Sequence, residues 1–253
     1  MAITTTATHG KKNGTVTSIS NNTWQEAVIQ NIVEETPNVK TYSLKLPEAV
    51  HHVAGQHYEL QLTSEDGYQA ARPYSAASTA TNMPLLELTI QHVPDGEVSS
   101  YVYDSLQVGD SVEVRGPFGK FFTWDETNTR PILLIAGGSG VVPMRSILAS
   151  HKAAGAETTM HLIYSTHSFD DIIYKPDFLE TNQVTITLTK NTSSVWTGPT
   201  GRINKELFIK TLETFAQTPL CYVCGMNTFV SAATDILQEL GVPVGDIKTE
   251  RFG

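Results

Sequence analysis

The sequence predicts a two-domain β + α/β fold, in which an antiparallel Greek-key β-barrel precedes a Rossmann-like domain with a parallel sheet. Between Trp24 and about Trp124, short segments with near-alternate apolar residues are separated by turn sequences. After a polar stretch, continuous apolar strands alternate with helical segments, a pattern typical of a parallel sheet covered on both faces. We therefore expect a tail over residues 1–22, a barrel over 23–124 and an α/β domain over 130–253.

Composition narrows the class of protein. The 253 residues are 40% hydrophobic, and no apolar run approaches the roughly 20 residues that a membrane-spanning helix needs. A net charge of −9 argues against nucleic acid as a partner, because phosphate backbones require clustered basic residues. The N-terminal segment has no apolar core of a secretion signal, so we expect a mobile tail and a cytoplasmic protein.

Six strand segments and one helix are expected in the barrel. The strands are QEAVIQNIVEE, VKTYSLKL, HYELQLT, ARPYSAAS, LLELTIQHV and DSVEVRGP, with turn sequences such as EDG and PDG between them. The helix is predicted at about Ser99–Leu106, where the hydroxyl of Ser99 or Ser100 can cap its first turn. Many short strands with one helix indicate a small antiparallel barrel.

The second half predicts a parallel sheet with helices between its strands. PILLIA, MHLIYS, VTITLT and LCYVCG alternate with helices at Pro143–Ala154, around Asn204–Leu212 and at Thr228–Leu240. Cys221 and Cys224 lie on one of these strands, where residues three apart point to opposite faces. This favours two unpaired thiols over a redox dithiol or half of a zinc site, and we expect no metal.

A glycine-rich turn joins the first of these strands to its helix, in the stretch LLIAGGSGVVPMRSIL from Leu133 to Leu148. Glycines permit positive φ and let a phosphate approach the backbone, and proline suits the first turn of a helix because its missing N–H would be unpaired there. A strand–helix turn without a ligand shows the same pattern. The motif alone therefore leaves both interpretations open.

The barrel carries a second set of candidate ligand-binding residues. In Arg72-Pro73-Tyr74-Ser75, strand alternation places Arg72 and Tyr74 on one face. A guanidinium can bind a pyrophosphate bidentately, and a tyrosine can lie against a flat aromatic ring. A surface arginine beside a core tyrosine is the alternative. Downstream, Gly96 to Ser99 open the short helix with free backbone donors.

Six motifs occur in a consistent order over about residues 24–253: R-x-Y-S, G-x-x-S, GPFG, GGSGVVP, CG and ERFG. In this order they resemble the ferredoxin–NADP reductase superfamily, specifically flavin oxidoreductases with an FAD-binding FR-type domain and no iron–sulfur domain. The resemblance implies an FAD-binding barrel joined to an NAD(P)-binding domain, with FAD and either NADH or NADPH as cofactors. Two cysteines cannot supply the four ligands of the plant-type [2Fe–2S] centre that many relatives carry.

The resemblance also implies the site residues. Ser75 would lie near flavin N5, Cys224 beside the nicotinamide, and Glu250 at the junction of the two rings, and these three would form the catalytic set. The implied cofactor-binding residues are Arg72, Pro73, Tyr74, Ser75, Ile90, His92, Gly96, Val98, Ser99, Gly138, Ser139, Gly140, Pro143, His167, Cys224, Gly225, Met226 and Phe252.

Two positions depart from the pattern. His57 follows Gly55-Gln56 where relatives often have an aromatic residue, and His167 stands where an arginine commonly pairs with the 2′-phosphate of NADP. Lys190 or Arg202 could supply that charge.

The implied activity is FAD-dependent NAD(P)H oxidation, with a hydride passed to flavin N5 and electrons then passed to an external acceptor. The acceptor could be another protein, a quinone, a dye, a ferric complex or dioxygen. Two alternatives remain open. One is a flavin-binding electron-transfer subunit that is active only in a complex, and the other is a non-catalytic nucleotide-binding sensor.

Overall fold

The computed structural model describes residues 20–79, 84–190 and 193–252. The tail predicted over residues 1–22 falls mainly on residues 1–19, outside the described residues. The described chain forms a six-stranded antiparallel sheet followed by a five-stranded parallel sheet, so the predicted fold class is confirmed. We keep 23–124 and 130–253 as the proposed domain limits.

The first sheet is the predicted barrel. Its strands pair in the order β4-β3-β6-β1-β2-β5, and each neighbouring pair is antiparallel. An isolated antiparallel bridge between Ala76 and Leu88 joins the end of β4 to β5, so the outer strands close the sheet on itself. The strands are β1 (Gln25–Thr36), β2 (Val39–Lys45), β3 (His57–Thr63), β4 (Gln69–Ser75), β5 (Leu85–Gln91) and β6 (Ser111–Phe118).

The helix of this half, α1 (Glu97–Ser105), begins two residues before the predicted start, and neither predicted serine caps it. The Ser99 hydroxyl instead accepts a hydrogen bond from the Val93 N–H at 3.3 Å, while Ser100 Oγ donates to the Val93 carbonyl at 3.0 Å. Both hydroxyls thus tie the helix to the preceding turn. The capping prediction was wrong because that turn folds back over the serines.

The second sheet has the order β11-β10-β7-β8-β9, with every pair parallel. Its last strand, β11, was not predicted, because an edge strand reading IKTERF lacks a continuous apolar run. The short helix α3 was also missed. The elements are β7 (Ile132–Gly137), α2 (Val141–Ala153), β8 (Met160–Thr166), α3 (Lys175–Leu179), β9 (Val184–Leu188), α4 (Lys205–Leu212), β10 (Leu220–Met226), α5 (Asn227–Glu239) and β11 (Ile247–Phe252).

Helices cover both faces of this sheet, as predicted. Met144 and Ile147 of α2 pack on one face, and Phe208 of α4 and Val230 of α5 pack on the other. Within the described residues, no helix is long and apolar enough to cross a membrane. The cytoplasmic location stays a prediction.

The two cysteines are free and fully buried, on opposite faces of β10. Cys221 packs in the cluster under α4 and α5, whereas Cys224 packs in the cluster under α2. Burial raises the pKa of Cys221 to about 12. The C-x-x-C spacing therefore does not form a redox pair, as the strand period predicted.

Candidate functional site

The parallel sheet reverses its strand order between β7 and β10, and ligands of open α/β sheets bind at the carboxyl ends of the strands at such a point. Two helices begin there, α2 after β7 and α5 after β10, and neither has a side-chain cap. The first turn of α5 has no side-chain cap, so its N–H groups could meet an anionic ligand. In α2 the Val141 N–H already bonds the Gly138 and Ser139 carbonyls, so donors on that side would come from the glycine turn. This edge of the sheet is therefore where an anionic ligand would be expected.

The glycines of the turn between β7 and α2 have two distinct roles. A Cβ on Gly140 would lie 2.2 Å from the Cys224 carbonyl oxygen, and one on Gly137 would lie 2.7 Å from the Phe229 ring, so these glycines allow close packing. Gly138 has φ +55 and open space where a Cβ would stand. Of these three glycines, only Gly138 leaves room for a ligand.

The helix after this turn starts earlier than predicted. A 3₁₀ turn over Gly138–Gly140 leads into α2 at Val141, which makes Pro143 the third helical residue and a buried one. Its missing N–H still falls in the first turn, where it would have no helical partner. Pro143 and Gly140 can therefore shape the turn, while Gly138 and Ser139 remain partly exposed.

The parallel pairing of β10 with β11 brings predicted site residues together. Cys224 is opposite Glu250 in the register, and Met226 is opposite Phe252. Glu250 Oε2 is buried with no hydrogen-bond partner in the described structure, and burial raises the pKa of this carboxyl to about 7. Burial and the nearby Glu250 raise the pKa of Cys224 well above its ordinary value, so the thiol stays protonated.

On the barrel side, burial increases along the β4 motif from Arg72 to Ser75. Arg72 and Pro73 are exposed, Tyr74 is half-buried against the barrel core, and Ser75 is buried. Burial raises the pKa of Tyr74 to about 12. Ser75 Oγ has no hydrogen-bond partner among the described residues. A bound ligand could supply the missing partner.

The Arg72 guanidinium and the start of α1 lie together. Arg72 Nη2 is 3.2 Å from Glu97 Oε2, in the first turn of α1, and this helix has no side-chain cap. A Cβ on its N-cap residue, Gly96, would lie 2.8 Å from the Val93 carbonyl oxygen, so the tight entry requires glycine. An arginine fork beside uncapped N–H groups suits a pyrophosphate, and the orphaned Ser75 hydroxyl suits a flavin ring beyond it. These residues therefore fit FAD.

Three further residues of the barrel half, Ile90, His92 and Val98, were also predicted to contact the cofactor. The side chains of Ile90 and Val98 are buried in the barrel core, so only their main chains could meet a ligand. His92 lies 3.8 Å from Asp104 and packs on Tyr103.

At the α/β domain surface, two further predicted residues are exposed. His167 is exposed after β8, and its carbonyl accepts from the Lys190 N–H at 2.7 Å. Met226 is 69% exposed at the end of β10.

The two groups of site residues are connected through α2. Arg145 Nη1 and Ser146 Oγ of this helix donate to the carbonyls of Ala77 and Ser78, just after β4, at 3.1 and 2.8 Å. Gly140, at the start of α2, abuts the Cys224 carbonyl. At about 1.5 Å per residue, roughly 9 Å of helix separates these two contacts, so one short helix spans from the barrel motif to the carboxyl end of β10.

The contacts that join the barrel to the α/β domain, which we call the seam, include those of Arg145 and Tyr174, and local sequence patterns did not predict them. Arg145 bonds Glu87 at 2.8 Å and Asp177 at 3.0 Å, and its guanidinium lies 4.6 Å from the centre of the Tyr174 ring. Burial alone would lower the pKa of Arg145, but hydrogen bonds to Glu87 and Asp177 raise it above its ordinary value. These partners are far apart in the chain, so the local sequence pattern contained no signal for them.

Tyr174 closes a second link across the seam. Its N–H donates to Glu35 Oε2 at 3.1 Å, and its hydroxyl hydrogen-bonds Thr89. Thr41 completes the ring, since its hydroxyl donates to Glu35 Oε1 and pairs with Thr89, each at 2.8 Å. Tyr174 adopts φ +57, a left-handed conformation that is uncommon for a bulky residue. A closed ring of hydrogen bonds holds it there.

Two family models match the chain in sequence. Residues 26–123 match the oxidoreductase FAD-binding domain, and residues 134–235 match the oxidoreductase NAD-binding domain.

Curated relatives agree with these two matches. The chain is 30% identical over 226 residues to the ferredoxin–NAD(P)+ reductase component of the naphthalene 1,2-dioxygenase/salicylate 5-hydroxylase systems of Ralstonia sp, covering 87% of this chain and 66% of that protein. It is 25% identical to the phenol hydroxylase P5 protein of Acinetobacter pittii, covering 90% and 65%. It is 28% identical to NADH-cytochrome b5 reductase 1 of Mortierella alpina, covering 81% and 71%. The chain thus spans slightly less than two thirds of the first two relatives.

Solved structures share the fold. The flavohem-like FAD/NAD-binding domain of nitric oxide dioxygenase from Vibrio cholerae has a TM-score of 0.77 at 22% identity, covering 90% of this chain and 98% of that one. A ferredoxin NADP+ reductase from Neisseria gonorrhoeae, with bound FAD and NADP, has a TM-score of 0.76 at 20% identity, with the same coverage. Fold, family models and relatives agree that this chain belongs to the ferredoxin–NADP reductase-like superfamily of FAD- and NAD(P)-dependent oxidoreductases.

Proposed function

We propose that this chain is an NAD(P)H-dependent flavoprotein reductase that delivers electrons to a separate acceptor. One observation carries the proposal: the buried Ser75 Oγ and Glu250 Oε2 both lack a partner in the described residues. An unpaired buried polar group costs about 1–3 kcal/mol. Because this cost falls on one residue of the barrel and one of the α/β domain, it supports bound cofactors that hydrogen-bond both groups.

The barrel residues would hold the flavin nucleotide. When bound, FAD supplies the chemistry that takes a hydride from NAD(P)H and releases electrons to one- or two-electron acceptors. Arg72 and the first N–H groups of α1 would bind its pyrophosphate, Tyr74 would pack on the isoalloxazine, and the Ser75 hydroxyl would hydrogen-bond the ring near N5. The glycine turn and the uncapped helix α5 would bind the second dinucleotide.

Cys224 and Glu250 would act at the nicotinamide without a covalent step. Cys224 is fully buried and protonated, so it would pack beside the ring rather than attack it. Glu250, with a pKa of about 7, can hold or release a proton at Oε2 near neutral pH. Together with Ser75 they form the proposed catalytic set.

NADH is the proposed donor. His167 stands where an arginine fork would be expected for a 2′-phosphate, and an imidazole cannot reproduce that fork. The segment after β8 also contains Asp171, whose carboxylate accepts from the Ser168 N–H at 3.0 Å. An acidic residue in this region suits a free ribose hydroxyl. A relative from Haemophilus influenzae that is 30% identical to the chain is named as one of the subunits of a Na(+)-translocating NADH-quinone reductase.

The proposed acceptor is a separate redox protein. Relatives bear the names reductase component and cytochrome b5 reductase, which refer to electron transfer to another component. The chain itself has a net charge of −9, so a protein acceptor with a basic docking face would bind more weakly as salt increases.

Anaerobic stopped-flow reduction tests the proposal. The chain is saturated with FAD and mixed with NADH or NADPH, and the loss of flavin absorbance is followed. We expect full bleaching by NADH, at least about tenfold faster than by NADPH because of the missing fork. A chain that binds no FAD, or whose flavin is bleached by neither nucleotide, would refute the function. Equal rates would refute only the NADH preference.

A further inference from the structure

We propose that Glu97 is an internal anion that occupies Arg72 in the flavin-free chain and weakens the binding of the FAD pyrophosphate. The inference rests on the proposed function, because Arg72 and the start of α1 are the groups assigned to that pyrophosphate. It concerns a side chain to which the sequence motifs assign no role.

The Arg72 guanidinium contacts the Glu97 carboxylate directly. Arg72 Nη2 lies 3.2 Å from Glu97 Oε2, while Arg72 Nη1 donates to the Ala71 carbonyl at 2.8 Å. The two side chains are 53% and 42% exposed, so a ligand in solution can reach both. One arm of the guanidinium fork is therefore taken by a carboxylate and the other by the main chain. A pyrophosphate that binds Arg72 bidentately has to replace these partners.

The surroundings also favour a negative charge on Glu97. It is the first residue of α1, at the positive end of a helix without a side-chain cap. Interaction with the Glu97 carboxylate also raises the pKa of the Tyr68 hydroxyl. The carboxylate is thus stabilised by an arginine, a tyrosine and a helix terminus, which are the donors that a phosphate would use.

The consequence is competition between two anions for one set of donors. An exposed ion pair of this kind contributes at most a factor of about five to an equilibrium constant, and the remaining like charge would repel the bound phosphates. Removing the carboxylate charge should therefore tighten FAD about three- to tenfold. The gain should shrink as salt is added, because exposed charges are screened.

The test is the affinity of FAD for Glu97→Gln in the full chain, measured by quenching of flavin fluorescence at low and high salt. Glutamine keeps the size and helix position of the side chain and removes only its charge. Glu206→Gln is the matched control, since Glu206 lies in the first turn of α4 and the change in net charge is the same. We expect tighter FAD for the first variant and an unchanged dissociation constant for the control.

Riboflavin separates competition from a purely structural effect. It carries no phosphate, so Glu97→Gln should leave its affinity unchanged while tightening both FAD and ADP. If riboflavin gains as much as FAD, or if FAD binding is unchanged or weaker in the variant, Glu97 only stabilises α1 and the inference is wrong.

Arg72→Ala distinguishes the inference from the proposed function. If this variant binds FAD like the parent chain, the proposed pyrophosphate site itself is wrong. If it weakens FAD binding while Glu97→Gln brings no gain, only the competition is wrong. In the double variant the gain from Glu97→Gln should largely disappear, because the contested donor is gone.

Discussion

Replacing Glu250 by glutamine should stabilise the flavin-free chain, relative to the parent, more at alkaline pH than at acid pH. The carboxyl lies on β11 opposite the buried Cys224, and its Oε2 has no partner in the described structure. Burial therefore penalises the charged form of Glu250. Glutamine keeps the shape and cannot ionise, so it escapes that penalty at every pH.

The size of the effect follows from the pKa. Burial raises the pKa of Glu250 from 4.5 to about 7, which corresponds to about 3 kcal/mol. The folded state binds this proton more tightly than the unfolded state, so the contribution of Glu250 to stability is fully present below about pH 4.5 and is lost as the pH rises to about 7. Because the side chain is only partly buried, we expect the difference in unfolding free energy between the variant and the parent to grow by about 1–3 kcal/mol from about pH 5 to pH 8.

Urea unfolding of both flavin-free proteins, followed by circular dichroism at about pH 5, 6, 7 and 8, measures this difference. The unpaired amide of the glutamine adds a constant that does not change with pH, so the slope is the informative quantity. Glu206→Gln on α4 is the control and should track the parent at each pH. A difference that is constant over the range, or that grows toward acid, would contradict the reasoning.

Three further variants test the site and the seam. Ser75→Ala removes a buried hydroxyl that has no partner among the described residues, so the flavin-free chain should gain about 1 kcal/mol in free energy of unfolding. In stopped flow the flavin of this variant should be reduced more slowly. A loss of stability would contradict this. Arg145→Ala leaves the Glu87 carboxylate without its guanidinium and should lower the free energy of unfolding in urea by about 3 kcal/mol. The exposed Arg202→Ala is the control and should cost nothing measurable. Equal costs would rule out the seam role of Arg145. Gly140→Ala places a Cβ 2.2 Å from the Cys224 carbonyl oxygen, so its melting temperature should fall further than that of Gly245→Ala, where the space is open and φ is not positive. The reverse order would rule out the packing role of Gly140.

Much of the fold could be predicted from local patterns. Every barrel strand and four of the five parallel strands were found, because strand period and apolar runs depend on neighbouring residues. Helix starts were less accurate. α1 begins at Glu97 and α2 at Val141, two residues before the predicted positions, since the serines and the glycine turn make contacts that local preference does not include. The edge strand β11 is polar and is defined only by its pairing with β10.

By itself, the sequence determined the two-domain order, the glycine turn and the residue types that a flavin and a nicotinamide nucleotide require. The tertiary structure decided which of those residues are buried, paired or unpaired. Glu97 meets Arg72, and Arg145 meets Glu87, although 25 and 58 positions separate the partners. The pKa of Glu250 depends likewise on the packing around β11. The physical reason is that burial and charge pairing are set by neighbours in space, whereas periodicity and turn preference are set by neighbours along the chain.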